Sequence, residues 1–238
     1  MRELSELANV PDPAWPALTE RLAESRTPLE CLPADPETAR ACLLQLQVTT
    51  RSWLGSLVLN CGGLLLDGGW LRIYAGGSPE LPGLARVNGF PAEFDPGWHA
   101  SGGLVVAHDV LGGVFALNGI DPAASGRPGQ PGEVVYFAPD ALRWEALDVG
   151  HGDWLAWLLT GPLDGFYGEL RWPGWREEIA GLGGDEGISV VPFPWSAEAQ
   201  QDMTATSRRR VPLTELLDLG REFSGRFGEP DPGFLGAV

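Results

Sequence analysis

The first 50 positions carry apolar residues at the spacing of amphipathic helices. Trp15, Leu18 and Leu22 fall on one helical face after Asp12-Pro13, and a similar stripe follows Asp35-Pro36. Both Asp-Pro pairs predict helix starts, because Asp caps free backbone N–H groups and Pro, which has none, fits a first turn. Residues 1–50 are therefore predicted to form a helical lead-in.

Between residues 51 and 145 the pattern changes to short apolar runs separated by Gly, Asn and Asp. Such turn residues tolerate the positive φ angles of tight hairpins. The connections are too short for parallel crossovers, so an antiparallel meander is expected. Six runs are predicted strands: residues 57–59, 64–66, 70–74, 104–107, 114–117 and 134–137.

The last part of the chain, residues 146–238, is predicted to be mostly helical. Helices are expected at 151–159, 176–182 and 212–227, with one strand at 188–191. The length of 238 residues suits one domain. The predicted fold is a single α+β domain, in which a central antiparallel sheet meander is flanked by N- and C-terminal helices.

The charge balance restricts the kind of partner. The chain has 32 acidic and 16 basic residues, a net charge of −16. A surface of this sign repels phosphate backbones and anionic lipids, so neither nucleic acid nor membrane is a predicted partner. It attracts a basic protein, although the same charge also serves solubility alone. Arg208–Arg210, the single basic run, is interpreted as a solvated loop or a source of internal salt bridges.

Residue usage excludes several chemistries. All basic residues except histidine are Arg, and without Lys the chain cannot be a P-loop NTPase, a kinase or a Schiff-base enzyme. Cys31, Cys42 and Cys61 are too loosely spaced for a disulfide framework or a zinc ribbon. No apolar run has the length of a membrane span or signal core. These features predict a cytoplasmic protein without a metal or other cofactor.

The residue patterns do not form a recognisable catalytic site. The nearest match to a nucleophile elbow, around Ser101, has His99 in place of the first Gly, and a glycine-rich turn is the preferred interpretation. The histidines lack metal-ligand spacing. Asp109, beside His108, is interpreted as a hairpin-turn residue. The glycine-rich run 181–187 follows a predicted helix, whereas a dinucleotide-binding loop would follow a strand.

Several segments together resemble a bacterial family described only as a domain of unknown function. More distantly, the turn, strand and hairpin pattern at the centre of the chain is similar to the SUKH superfamily of Smi1- and Knr4-type proteins. That resemblance implies an α+β fold and no catalytic residues. It also implies an immunity-like role, in which the protein binds and neutralises a toxin domain, frequently a nuclease. The segments that carry the resemblance are 52–56, 62–74, 114–119, 136–140, 144–145, 166–167 and 171–175.

Together these features predict a non-enzymatic protein that sequesters a basic, toxin-like partner. The candidate partner-binding residues are His108, Asp109 and Asp140, because they lie beside predicted turns, where binding residues often occur. One alternative is a small-molecule or carbohydrate-binding protein, or a hydrolase, that uses acidic and aromatic residues. Another is a housekeeping protein whose acidity serves solubility only.

Overall fold

A seven-stranded antiparallel sheet forms the centre of the molecule, in a computed structural model that describes residues 2–98, 100 and 102–238. The strands lie in the sheet in their sequence order, so the predicted antiparallel meander is confirmed. The strands are β1 Leu29–Leu32, β2 Gly63–Leu66, β3 Leu71–Tyr74, β4 Gly103–Asp109, β5 Val114–Asn118, β6 Glu133–Phe137 and β7 Trp144–Gly150. A separate antiparallel pair consists of β8 Glu186–Val191 and β9 Ser207–Pro212.

Helices flank the sheet at both ends of the chain, which confirms the predicted α+β class. In the part of the chain that the structure describes, they are α1 Leu4–Ala8, α2 Trp15–Ala23, α3 Pro36–Leu46, α4 Trp53–Asn60, α5 Leu84–Val87, α6 His151–Leu158, α7 Leu163–Phe166, α8 Trp175–Ile179, α9 Ala197–Gln201 and α10 Leu213–Arg226. None of these helices is both long enough and apolar enough to cross a bilayer.

Both faces of the central sheet are covered. On one face, Phe115 and Tyr136 lie within aromatic contact of Phe166 in α7, and Phe115 also contacts Trp154 in α6. On the other face, α10 approaches the sheet at Gly220, where an added Cβ would lie 3.3 Å from the ring of Phe137. Residues 229–238, here called the tail segment, cross this second face. The sheet is therefore a central layer, and strands β4, β5 and β6 are covered on both faces.

Local capping explains one wrong prediction, the strand at 57–59. These residues belong to α4, whose first turn is capped by Ser52 accepting from the backbone N–H of Gly55. A continuous apolar run fits a buried helix as well as a buried strand, and the N-cap decides for the helix. Asp35 caps α3 as predicted, accepting from Thr38 N at 2.8 Å. Asp12 does not cap α2, which begins at Trp15 with Ala14 at its N-cap.

The outer segments contain strands that the sequence analysis did not predict. The helical lead-in includes β1, which pairs with β2 at the edge of the sheet. The mostly helical C-terminal part begins within β7 and contains β9, which pairs with the predicted strand β8. The run Arg208–Arg210 lies on β9 and is not a loop. Elsewhere in residues 146–238, α6, α8, β8 and α10 fall where helices and a strand were predicted.

Candidate functional site

The three predicted partner-binding residues do not form one surface. His108 and Asp109, at the end of β4, are completely buried, whereas Asp140, between β6 and β7, is partly exposed. The expectation that His108 and Asp109 are surface residues is wrong. Neighbouring residues on a strand point to opposite faces of the sheet, and here both faces are covered. Of the residues considered above as ligand or nucleophile, His99 and Ser101 lie outside the described residues.

His108 holds the tail segment against the sheet. Its Nε2 donates to the carbonyl of Leu235 at 2.7 Å, so its Nδ1 carries no proton and accepts from the Tyr74 hydroxyl at 2.7 Å. Burial lowers the pKa of His108 to about 4. A neutral, fully bonded imidazole under the tail segment acts as a structural anchor and makes no contact with solvent.

Asp109 closes the turn between β4 and β5. Its Oδ1 accepts from the backbone N–H groups of Leu111 and Gly113, each at 2.9 Å, and its Oδ2 accepts from the Tyr136 hydroxyl at 2.8 Å. Burial raises the pKa of this carboxyl, against the effect of these donors. The prediction that Asp109 is a hairpin-turn residue is confirmed, and its oxygens are fully used within the protein.

A large cleft opens over β3, the strand that pairs with β4 at His108 and Asp109. Its volume is about 910 Å³. Residues 78–82 and the glycine-rich loop 181–185 form its walls, and the end of the tail segment contributes to its lining. The loop approaches closely, since a Cβ added at Gly184 would lie 2.3 Å from the carbonyl oxygen of Glu80. The interpretation of this glycine-rich run as a loop after a helix is confirmed.

Arg72 lies at the floor of this cleft and is 2% exposed. Its Nη1 donates to the carbonyls of Gly184 and Glu186, which fixes the guanidinium against the loop. Its Nε and Nη2 have no hydrogen-bond partner among the described residues, yet they are not sealed from solvent. Burial lowers the pKa of Arg72 from its usual value. The free Nε–Nη2 edge is the donor pair that binds a carboxylate or phosphate side-on.

The sequence analysis did not identify Arg72 as a binding residue. The available signal was its position in the run 70–74, where a single charge interrupts apolar residues of a predicted strand. A buried charge is retained only where it has polar partners, which makes such a residue a candidate for a site. The partners themselves come from a loop more than 100 positions later, which strand periodicity does not predict.

A second candidate surface follows β7, the strand at the far edge of the sheet. Residues 133–153, here called the acidic edge, contain five carboxylates and one arginine. Glu145, Asp148 and Asp153 are exposed, and Trp144 is the one fully buried residue of β7. The arginine, Arg143, lies 3.9 Å from Glu145, and both side chains are well exposed. The acidic edge includes Asp140, the predicted candidate that stays at the surface.

Several arginines are buried or bonded within the chain, and the buried ones leave the surface more acidic. Arg127 and Arg171 are largely buried. Arg208 pairs with Glu178 at 3.1 Å, Arg209 pairs with Glu215 at 2.6 Å, and Arg210 donates to backbone carbonyls. The interpretation of this arginine run as a source of internal salt bridges is confirmed for Arg208, whereas the Arg209 pair lies at the surface, with side chains that are 64% and 38% exposed.

Side-chain clusters typical of metal binding do not occur in the described ranges. No three His, Cys, Asp or Glu side chains among these residues are placed to hold a metal ion. Trp70, Trp154 and Trp172 are core residues, as their apolar surroundings in the sequence indicate. Trp157 is different, with 37% of its surface exposed.

Fold and surface together define an acidic α+β protein with a meander sheet, a cleft over Arg72 and a charged sheet edge. Residues 4–216 match the model of a family described as "Protein of unknown function DUF2625", and the chain belongs to this family. The predicted resemblance to a bacterial family of this kind is confirmed.

Two relatives extend the match over most of the chain. One is "Putative uncharacterized protein YbfG" of Escherichia coli (strain K12), which is 39% identical over 95% of this chain and 99% of its own length. The other is an "Uncharacterized protein" of Haemophilus influenzae (strain ATCC 51907 / DSM 11121 / KW20 / Rd), which is 33% identical over 81% of this chain and 82% of its own length. No solved structure matches the chain.

Proposed function

We propose that this chain is a non-enzymatic binding protein that holds a basic protein partner on its acidic edge. The observation that carries the proposal is the five-to-one excess of carboxylates over arginine along residues 133–153. Uncompensated charges of one sign attract an oppositely charged partner, speed its approach and disfavour partners of like charge. The whole chain, at −16, reinforces this local field.

The outer edge of β7 offers backbone groups as well as charge. It is the last strand of the sheet, so one side of it carries N–H and C=O groups without a neighbouring strand. The pairing of β6 with β7 is irregular between Glu133 and Val135, and Asp148 has a positive φ of 55°. A bulge of this kind bends a strand, so an extended partner segment would pair with the regular part, residues 144–147.

The finer form of the proposal is an immunity-like role, with a toxin domain as the partner. Its support is the similarity of the central turn, strand and hairpin pattern to the SUKH superfamily. The charge agrees with it, because a nuclease toxin is basic where it meets phosphate. A partner of this class would present arginine and lysine side chains to Glu145, Asp148 and Asp153.

Affinity capture with matched charge variants tests the proposal. The immobilised chain is incubated with lysate of its source organism at low salt and then washed at high salt. The edge variant carries Glu145→Gln, Asp148→Asn and Asp153→Asn. The control variant changes the same number of exposed carboxylates on other elements: Glu20→Gln, Glu169→Gln and Asp218→Asn.

The expected result is a basic protein that the wild type and the control variant retain at low salt and release at high salt. The edge variant should lose it, because the local field is reduced while the total charge matches that of the control. Equal retention by all three proteins, or no retained protein, would contradict the proposal.

A second candidate function is the binding of a small anionic ligand in the cleft. The observation that favours it is Arg72, a nearly buried guanidinium whose Nε and Nη2 are without protein partners among the described residues. Glu30, Glu80 and Asp185 lie around it in the lining, so a ligand that also carries an amino group would find acceptors there. Amino acids are the simplest class with both groups.

Calorimetric titration with a panel of amino acids, and with inorganic phosphate, tests this second function. Arg72→Met removes the donors and keeps an apolar stem of similar length. Arg127→Met is the control, because Arg127 is also buried and bonded to backbone carbonyls, and it is absent from the cleft lining. Binding that weakens at least about tenfold in Arg72→Met alone would support the cleft, consistent with the loss of a charged hydrogen bond. Identical titrations for the two variants would contradict it.

A further inference from the structure

Two of the three cysteines meet at the edge of the sheet. Cys31 lies on β1 and is exposed, and Cys61 is buried at the C-terminal end of α4, just before β2. Their sulfur atoms are 2.8 Å apart although the residues are 30 positions apart in the sequence. Both are free thiols in this structure. The loose spacing of the cysteines along the chain gave no indication of this pair.

The backbone holds the two cysteines together. Leu32, next to Cys31, accepts a hydrogen bond from the N–H of Gly62, next to Cys61, at 2.8 Å. Cys31 is itself in register with Leu64 of β2. Cys61 Sγ also lies 3.1 Å from the carbonyl oxygen of Gly63 on β2 and 3.6 Å from that of Leu32 on β1. The proximity of the sulfurs is therefore a consequence of strand pairing and of the α4–β2 connection.

The two thiols differ in reactivity. The hydrogen bond from Cys61 lowers the pKa of Cys31, against the opposing effect of partial burial. The same hydrogen bond, together with burial, raises the pKa of Cys61. Cys31 is thus an accessible thiol with increased thiolate character, and Cys61 is its protonated, shielded neighbour. An exposed cysteine whose pKa is lowered by a neighbouring cysteine is the arrangement of a nucleophilic and a resolving thiol.

We propose that Cys31 and Cys61 form a reversible disulfide when the protein meets a hydroperoxide. The sulfurs need to approach by less than about 1 Å to reach the usual bond length of about 2.05 Å. The pair links β1 to the connection between α4 and β2, at the edge of the sheet opposite the acidic edge. This site is independent of the function proposed above.

The reaction proceeds in two balanced steps. The Cys31 thiolate attacks the O–O bond of the hydroperoxide, so that an S–O bond forms, the O–O bond breaks and the alkoxide leaves as the alcohol after taking a proton. Cys31 is oxidised by two electrons to a sulfenic acid, and the hydroperoxide is reduced by two. Cys61 then attacks the Cys31 sulfur, an S–S bond forms, and the hydroxide that leaves takes the Cys61 proton as water. A dithiol reductant reverses the bond by exchange.

Cys42 provides an internal control. It is buried on α3, burial raises its pKa to about 11, and its contacts are to the backbone of Ala75 and Ala85. Cleavage after arginine separates the three cysteines, because they fall within residues 27–40, 41–51 and 52–72. Each thiol can therefore be followed on its own peptide.

The experiment treats the full chain with hydrogen peroxide, alkylates the remaining thiols and analyses the intact mass and the peptides. The expected result is a loss of two hydrogen masses, a cross-link between peptides 27–40 and 52–72, and Cys42 as the one alkylated cysteine. Treatment with dithiothreitol should restore all three thiols. Three alkylated cysteines after peroxide, or a cross-link that includes Cys42, would overturn the proposal, and this wild-type result requires no variant.

Three single variants test which cysteine is the nucleophile and which is the resolving thiol. Cys42→Ser should cross-link as the wild type does. Cys61→Ser should accumulate a sulfenic acid at Cys31 that a diketone probe traps, because the resolving thiol is absent. Cys31→Ser should show neither a cross-link nor a trapped sulfenic acid at the shielded Cys61. Trapping at Cys61 in place of Cys31 would reverse the assigned roles and overturn the mechanism.

Discussion

At the residue scale, two buried histidines make the stability of the fold sensitive to acid. His108 has hydrogen-bond partners at both ring nitrogens, whereas neither ring nitrogen of His151 has a partner among the described residues. Burial lowers the pKa of each to about 4. The unfolded chain, with histidine pKa values near 6.5, therefore binds protons that the folded chain does not bind between these values.

Replacement of His151 by leucine should reduce this sensitivity. In the wild type, the free energy of unfolding falls as the pH decreases from about 6.5 to about 4, and each histidine contributes about 3 kcal/mol to that fall. His151→Leu removes one of the two contributions and breaks no hydrogen bond with the described residues. Urea unfolding at pH 7 and at about pH 4.5 measures the difference. A pH dependence as steep as that of the wild type would show that His151 titrates normally.

At the scale of elements, a buried ion pair joins the connection between β2 and β3 to the segment before α8. Arg171 Nη2 lies 2.6 Å from Asp67 Oδ2, and the two side chains are 6% and 5% exposed. The contact has the distance of an ion pair without the angle of a hydrogen bond at this nitrogen. The guanidinium also lies over the rings of Trp70 and Trp175, at 4.8 and 4.1 Å. These contacts attach the C-terminal part to the sheet.

A double-mutant cycle should show that the pair is coupled. Asp67→Asn suits the positive φ of 52° at this position and removes the buried carboxylate that pairs with Arg171. Arg171 then keeps one carboxylate partner, the exposed Asp164 at 2.7 Å, so we expect a loss of about 3 kcal/mol in the free energy of unfolding. Arg171→Met in that background should cost less than it does in the wild type, because the buried contact with Asp67 is already lost there. Urea unfolding of the four proteins measures the coupling, and strictly additive losses would contradict it.

The exposed pair Arg143–Glu145 is the control for this cycle. Its atoms are 3.9 Å apart and its side chains are 59% and 45% exposed. Solvent and salt screen such a contact, so Arg143→Met should change stability by less than about 1 kcal/mol. A loss of stability as large as that of Asp67→Asn would contradict the expectation that a buried ion pair contributes more to stability than an exposed one.

The difference between local and distant contacts explains which elements could be predicted from the sequence. Strands form as predicted where turn residues flank an apolar run and where its neighbours in the sheet are the adjacent strands along the chain. These are the runs 64–66, 104–107, 114–117 and 134–137. The run 57–59 became a helix because the cap at Ser52 begins it. β1 and β9 have weak periodicity of their own. Their conformation is fixed by pairing with β2 and β8, which are distant in sequence.

The exposure of the candidate residues was predictable only where no other part of the chain covers the predicted turn. Asp140 lies at a turn and reaches the surface, but His108 and Asp109 lie at a turn that the tail segment and Tyr136 cover. Arg72 and the pair Cys31–Cys61 acquire their properties from residues 30 or more positions away. Turn propensity predicts the local backbone conformation, whereas the exposure of a side chain depends on which other segments of the chain pack over it.

At the scale of the whole molecule, the internal use of arginine leaves repulsion among the surface carboxylates. The chain has a net charge of −16, and Arg72, Arg127 and Arg171 are largely buried. Compaction brings the remaining like charges closer than they are in the unfolded chain, which lowers the stability of the folded state. Salt shortens the range of this repulsion, from about 30 Å at about 0.01 M to about 8 Å at about 0.15 M.

The free energy of unfolding should therefore rise when sodium chloride is increased from about 0.01 M to about 0.15 M at neutral pH. Urea is the appropriate denaturant, because it carries no charge, whereas guanidinium chloride would itself screen the repulsion. The edge variant, with Glu145, Asp148 and Asp153 neutralised, should gain less from salt, since fewer like charges remain to be screened. A stability that falls with added salt would mean that attractive ion pairs such as Asp67–Arg171 outweigh the surface repulsion. The excess of carboxylates would then favour a basic partner without destabilising the chain itself.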